Sequence, residues 1–417
     1  MMDFILKDEP IIQSRLDMDF YKLPMGQLIF KKHPKVPTKF GLTNRTTSVM
    51  LPAIIPIEQL REQLDHVRTL RFNNSELHYL RGTNEYQERM FQEDYLQFLN
   101  QLQLPDYELS KCKDQFLLEF PGNWSENTYW ETKGLSIINE LYYKNIMSKK
   151  TQLERDAIYA TGIRNLYDKV QKLKLYPSLT FTDFGTRRRF SRAWQRYVVE
   201  MMAAELPNQL KGTSNVKLAM DLGLMPSGTS AHEMDMGYSG IYHGSRQEIF
   251  ESHQRFLSDW RQMYGHGLSI DLTDTYGTDF FFKVFSLEEA KHDKGLRHDS
   301  GEPFLFGDKA INFYKSLGID PITKMLIFSD GLDLELMIKL HLYFLNKIIS
   351  TYGWGTNLTN DLGLMALSLV IKLIMSNGFG TVKLSDNLNK ATGKPEDVAL
   401  FKEIFGYTNE QSQICTY

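Results

Sequence analysis

Four short runs of strand character, residues 179–184, 268–273, 324–329 and 347–352, succeed one another through the second half of the chain with helical patterns between them. Strands that alternate with helices need crossover connections, which favours a parallel α/β arrangement, a (β/α) barrel among the possibilities. The residues just beyond each run are more informative than the run itself. Residues 183–189 come after the first, Asp274 after the second, Asp330 and Gly331 after the third, and Gly353, Gly355 and Thr356 after the fourth. Parallel strands end on one rim, so these polar and glycine residues converge there. Turn chemistry explains any one ending, but four together favour a site.

The stretch LTFTDFGTRRRFSR, residues 179–192, reads as a strand, a sharp turn at Gly185 and a helix start near Ser191. Arg187, Arg188 and Arg189 diverge from one backbone, so at least one can face inward and fork onto phosphate oxygens. Phe184 adds a stacking face, and Gly185 leaves room for close approach. The competing reading is a solvated basic turn or an ion-pair cluster. At the fourth strand end, Gly353-Trp-Gly-Thr leaves backbone N–H groups free to cradle one phosphate, although neither GxxxxGK[ST] nor GxGxxG occurs.

Two further segments carry chemistry. In GLRHDSG, Arg297 and Asp299 fall on one side of an extended backbone, where the arginine can hold an anion and the aspartate can accept from sugar hydroxyls. A mutual loop ion pair is the alternative. In GTSAHE, His232 stands among small polar residues, as a base, ligand or nucleophile would, with Glu233 or another carboxylate to orient it; a structural histidine is the alternative. HExxH is absent.

The first 140 or so residues mix helices and strands in a way that suggests a separate α/β layer. Apolar residues recur at helical spacing over 58–70, 90–102 and 135–146, and residues 116–120 read as a strand. Pro24 fits the first turn of a helix, and Thr151 with Glu154 forms a capping box. Asn377-Gly378 signals a hairpin, and residues 385–395 read as a surface loop. With 417 residues, 42% hydrophobic and 24% charged, the chain can fill two cores. A formal charge of −3 excludes a broadly basic nucleic-acid surface, so any anion site is local. Cys112 and Cys415 are too few for a disulfide framework, the start MMDFILKDEP lacks signal-peptide character, and the apolar stretch 362–375 is broken by Lys372. A cytoplasmic location is expected.

Taken in order, DMDFYKLPM, TDFGTRRRFSR, KGTSN, MPSGTSAHE, GLRHDSGEP, FSDGLD, YGWGTNLTND, VIKL and KLSD closely resemble nicotinate phosphoribosyltransferase across residues 17–386. The resemblance implies an irregular (β/α) barrel domain at about 146–365. It also implies an α/β domain formed by residues 1–145 together with a returning segment, 366–417. It implies the formation of nicotinate mononucleotide and pyrophosphate from nicotinate and phosphoribosyl pyrophosphate, with coupled ATP hydrolysis, Mg²⁺ riding on the polyphosphate, and a homodimer with shared active sites. Carried over residue by residue, Phe184 and a partner's Tyr21 would stack on the pyridine beside Gly185, and Arg187, helped by Lys22, would hold phosphate. Arg297 would face the ring substituent, Asp299 and Asp330 the ribose hydroxyls, and Gly353, Gly355 and Thr356 the 5′-phosphate. His232 matches the family's autophosphorylated histidine. Ser214 stands where the nicotinamide-using relatives carry aspartate, which argues for the acid. Pro24 and Lys133 depart from the family pattern outside these residues. The rival readings are a nicotinamide phosphoribosyltransferase, a catalytically silent ligand-binding protein of this fold, and a sugar-phosphate hydrolase.

Overall fold

The computed structural model describes residues 10–85 and 88–409, so the N-terminal stretch read for a signal peptide, up to residue 9, and Cys415 lie outside the described residues. Thirteen strands are present among them: β1 (Pro37–Asn44), β2 (Asn84–Glu85), β3 (Glu88–Arg89), β4 (Glu108–Cys112), β5 (Gln115–Asn123), β6 (Thr180–Asp183), β7 (Leu210–Thr213), β8 (Ile270–Leu272), β9 (Gly295–His298), β10 (Met325–Phe328), β11 (Ile349–Trp354), β12 (Leu369–Ser376) and β13 (Phe379–Gly380). Six of them form one sheet in the order β7-β6-β11-β10-β9-β8, and every pair in it is parallel. The expected parallel α/β arrangement is present as this sheet, whose hydrogen-bonded pairs run from β7 at one edge to β8 at the other. Along β6 and β10 burial alternates: Phe181, Asp183, Leu326 and Phe328 are buried against the helices, while Thr180, Thr182, Met325 and Ile327 on the inner face are half-buried.

The second sheet, β13-β12-β1-β5-β4, is antiparallel and joins the two ends of the chain. Strand β1 lies between β12, a late strand, and β5, an early one. Asn377 and Gly378 both have positive φ, 52° and 86°, as the two central residues of a tight hairpin require, and they link β12 to β13. The partner strand expected after this turn is confined to two residues, because residues 381–390 leave the sheet.

The helix Trp130–Ser148 is buried along most of its length and couples the two sheets. Gly134 lets it approach β12, since a Cβ there would stand 2.6 Å from Ile371. On another side Ser136 Oγ donates to the Thr186 carbonyl at 2.9 Å and Asn139 Nδ2 to the Arg187 carbonyl at 2.8 Å, so this helix fixes the arginine turn. The following helix, Gln152–Leu173, starts at the expected Thr151/Glu154 capping box, and Ser191 caps Arg192–Glu205. Residues 385–395 overturn the surface-loop expectation in part: Ser385, Asn387 and Lys390 are buried. A separate apolar cluster containing Tyr276, Leu384 and Phe405 holds them down, and the Tyr276 and Phe405 rings stack at 3.9 Å.

Candidate active site

A cavity of about 150 Å³ opens where the rim of the parallel sheet meets the antiparallel sheet. It gathers Tyr21, Phe184, Arg187, His232, Arg297, Asp299, Asp330, Gly353, Gly355 and Thr356. Parallel pairing explains this assembly: β9 aligns with β10, β10 with β11 and β11 with β6, so their ends stand side by side. Gly353 seats Phe184, because a Cβ there would lie 2.4 Å from the ring.

Arg297 is buried and fully directed. Its Nε donates to Ser329 Oγ at 2.8 Å, Nη1 to Thr229 Oγ1 at 2.9 Å and Nη2 to Asp299 Oδ1 at 3.0 Å. The guanidinium lies 5.8 Å from the Phe184 ring centre. The ion pair and the site reading of Arg297–Asp299 therefore coexist. Burial opposes charge on Asp299, yet Arg297, the His232 hydrogen bond and Lys383 together outweigh it and hold this carboxyl well below the usual range. Asp330, beyond β10, is paired with Lys390.

The three arginines divide their work. Arg187 reaches the cavity, with Nε 3.0 Å from Asp19 Oδ2 and Nη1 3.4 Å from Glu131 Oε1, and its guanidinium sits 5.4 Å from the Tyr21 ring centre. Arg188 also lines the cavity and donates to the Leu367 carbonyl at 3.3 Å. Arg189 is fully buried and forks onto Asp17 at 2.7 and 2.9 Å, so for this residue the ion-pair reading of the turn holds.

Three of the residues carried over by resemblance stand outside the cavity lining. Lys22 is sealed between Glu131 and Glu233. Gly185 serves packing, because a Cβ there would be 2.2 Å from Thr359. Ser214 Oγ donates to Asp19 Oδ1 at 2.6 Å, so it meets the site through Asp19 and Arg187. Tyr21 differs in another way: it lines the cavity of its own chain. The cause is local, since the Phe20 N–H donates to the Ser214 carbonyl at 2.7 Å and ties this segment to the rim.

His232 begins the helix His232–Ile241 and is buried. Its Nδ1 is 2.9 Å from Thr275 Oγ1, and Thr275 donates onward to Asp235, which pairs with His253. Its Nε2 lies 3.0 Å from Asp299 Oδ2 and 2.7 Å from Lys383 Nζ. Burial, then the Lys383 charge, push the imidazole down to about 4, so it is neutral at physiological pH. Glu233 does not orient it, being engaged by Lys22 and Trp124. His232, Asp274 and Asp299 offer ligand atoms within 4.8 Å of one another. Lys383 Nζ, however, sits 3.2 Å from Asp274 Oδ2 and 3.8 Å from Asp299 Oδ2 and already supplies the positive charge there. This triad does not fit a divalent cation.

Arg45, Glu131, Lys372, Lys383 and Lys390 line the cavity without having been foreseen as site residues. Lys372, a charge set in the apolar run LVIKLIMS, and Lys383 lie within the VIKL and KLSD motifs, whereas Arg45, Glu131 and Lys390 stand in polar or mixed stretches that give no such signal. Burial lowers Lys372 to about 8, with Glu131 opposing, and at Glu131 the charges of Lys22, Lys372 and Arg187 together outweigh burial and hold the carboxyl at about 2.

With this geometry in place, comparisons with known proteins agree on one family. Residues 179–409 match the profile of the Nicotinate phosphoribosyltransferase (NAPRTase) family, and residues 16–139 match that of its N-terminal domain. Among solved structures, a nicotinate phosphoribosyltransferase from Vibrio cholerae is 31% identical, with 98% of this chain and 96% of that chain covered and a TM-score of 0.86. One from Porphyromonas gingivalis is 30% identical, with coverage of 95% and 100% and a TM-score of 0.83. A putative nicotinate phosphoribosyltransferase from Saccharomyces cerevisiae is 27% identical, with coverage of 96% and 100% and a TM-score of 0.82.

Proposed function

The chain belongs to the nicotinate phosphoribosyltransferase family, and on that premise we propose that it joins nicotinate to the ribosyl carbon of phosphoribosyl pyrophosphate. The pyridine nitrogen lone pair forms the new bond to C1′ as the C1′–O bond to pyrophosphate breaks. Pyrophosphate leaves with that electron pair, and the product is nicotinate mononucleotide with a pyridinium nitrogen. No proton has to move. Oxocarbenium character at C1′ and charge on the leaving group call for alignment and fixed charges rather than a strong base. The observation that carries this reading is one cavity that places Phe184 and Tyr21 together with four guanidiniums, two aspartates and a glycine-rich strand end.

In this reading Phe184 and Tyr21 hold the ring, and Arg297 faces its carboxylate. Asp299 and Asp330 take ribose hydroxyls. The backbone N–H groups at Gly353, Gly355 and Thr356 take the 5′-phosphate. Arg187, with Lys372, Lys383, Lys390 and Arg45, surrounds the pyrophosphate. Lys22 acts from behind by holding Glu131 and Glu233. Magnesium travels with the polyphosphate substrates, which suits an ion that keeps its waters and few protein ligands. ATP is a third substrate: its terminal phosphoryl group passes to His232 with release of ADP, and water later frees phosphate. A neutral imidazole beside Lys383 supports that role. Tyr21 and Phe184 of one chain line one cavity; two chains are expected to associate as a homodimer, and mixing variants decides whether Tyr21 serves its own chain's site or its partner's. The working domain limits are 1–145, 146–365 and 366–417. No helix among the described residues is long and apolar enough to cross a membrane.

The test is formation of nicotinate mononucleotide and pyrophosphate from nicotinate, phosphoribosyl pyrophosphate and Mg²⁺, with and without ATP, and with nicotinamide in parallel. Product from nicotinate that rises with ATP is expected, and His232→Ala should abolish the rise. Product from nicotinamide alone would overturn the choice of acid, and none from either would favour the silent binder.

A further inference from the structure

A second and larger hollow adjoins the catalytic cavity. It measures about 980 Å³ and is lined along the inner face of the parallel sheet by Thr180, Thr182, Met325, Ile327 and Thr351. Thr180 and Met325 are the first residues of their strands, so this chamber reaches the sheet end opposite the catalytic rim. Successive inner positions are two residues apart. The same rows therefore continue beyond the chamber as Phe184, Ser329 and Gly355, which line the catalytic cavity. Phe184 and Gly353 line both hollows, which makes the Phe184 ring the partition between them.

The two hollows differ in chemistry. The catalytic cavity is ringed by Arg45, Arg187, Arg188, Lys372, Lys383 and Lys390, so a bound polyphosphate sugar occupies much of its small volume and its positive charge. The chamber offers threonines and apolar side chains to a flat ring, and the exposed Lys211 at its edge attracts an anion. We propose that the chamber admits the pyridine monocarboxylate from the side opposite the phosphate-binding residues, and that rotation of Phe184 passes it to the ring site. This rests on the functional reading above. It gives Phe184 two tasks, stacking on the ring and gating its arrival.

The experiment fills the chamber. Ile327→Trp, alone and with Met325→Trp, adds bulk where the native side chains are only half-buried. Enzyme preloaded with phosphoribosyl pyrophosphate is mixed with nicotinate, and mononucleotide formation is followed over one turnover. The second-order constant for nicotinate should fall about tenfold while that for phosphoribosyl pyrophosphate changes by less than about twofold, as expected when only one ligand's approach is hindered. An unchanged nicotinate constant, or an equal fall in both, overturns the proposal. A second arm leaves the core untouched: Lys211→Cys, labelled with a bulky maleimide, is compared with the parent labelled at its own cysteines. A selective loss for nicotinate is again expected, and labelled variant and labelled parent behaving alike overturns it. Should the tryptophan variants not fold, this arm decides. Absence of mononucleotide from the unmodified parent would instead sink the functional reading itself.

Discussion

The rim of the parallel sheet and the wall facing it contribute comparable numbers of charged groups to one cavity, but they hold them differently. On the rim, Arg297 and Asp299 are aimed by β9, its neighbours and three hydrogen bonds on one guanidinium. On the wall, Glu131 comes from a helix, Lys372 from β12, and Lys383 and Lys390 from the segment after β13. These groups are positioned by one another's charge, as Lys383 is between His232 and Asp274. Removing a rim residue should therefore chiefly delete a substrate contact, although loss of Arg297 also lets the Asp299 carboxyl rise toward its usual range. Removing a wall residue should act chiefly through the ionisation of its neighbours.

The largest expected effect is on the rim. Arg297→Ala should lower kcat/KM for nicotinate by about 10²–10³, the scale seen when one preorganised donor is removed from an active site. Arg297→Lys should recover little of it, because an ammonium cannot reproduce the fork onto Ser329, Thr229 and Asp299. Steady-state kinetics with both substrates varied would measure this, and a loss below about tenfold would place Arg297 among the structural pairs.

Next comes the wall. In the native protein His232 stays neutral until about pH 4, so phosphorylation by ATP should not decline as pH falls from 8 to 6. Lys383→Ala removes a cation that lowers this pKa and leaves Asp274 and Asp299, which raise it. The imidazole of the variant then gains a proton at higher pH, and a protonated ring cannot accept a phosphoryl group. The ATP-stimulated rate should fall about tenfold at pH 6 and less at pH 8. A variant whose ATP-stimulated rate keeps the native pH profile would show that Lys383 does not set the charge on His232. Ser214→Asp should have an effect of similar or smaller size, about tenfold on nicotinate use, by placing a second carboxylate against Asp19 and drawing on Arg187. Unchanged nicotinate kinetics would refute the specificity argument.

The same contrast explains what the sequence disclosed. Strand ends followed by Asp330 or Gly353 are local patterns, and parallel topology turns them into a rim, so most of the rim was legible. β9 was read only as an extended possibility, because GLRH is too short and too polar to declare a strand before its neighbours pair with it. Lys390 was missed because residues 385–395 are polar. Their burial depends on Tyr276 and Phe405, residues far apart in the chain whose stacking no local pattern announces. Arg189 likewise reads the same as Arg187 until Asp17 arrives from the other end of the chain.

Tyr21 crosses the division between rim and wall, and it gives the smallest effect. It precedes the helix Lys22–Lys32, yet it is tethered to the parallel sheet through the neighbouring Phe20–Ser214 hydrogen bond, and its hydroxyl lies 3.3 Å from Glu131. If it stacks on the substrate ring, Tyr21→Ala removes an aromatic contact of about 1 kcal/mol, so KM for nicotinate should rise by about fivefold. The decisive measurement is a mixture. Were Tyr21 lent to a partner subunit, mixing Tyr21→Ala with Phe184→Ala would regenerate some intact sites in the mixed dimer. With both residues lining one cavity in a single chain, the mixture should show only the average of the two variants at every protein concentration. Recovered activity that grows with concentration would move Tyr21 across the interface and redraw the wall as a shared surface.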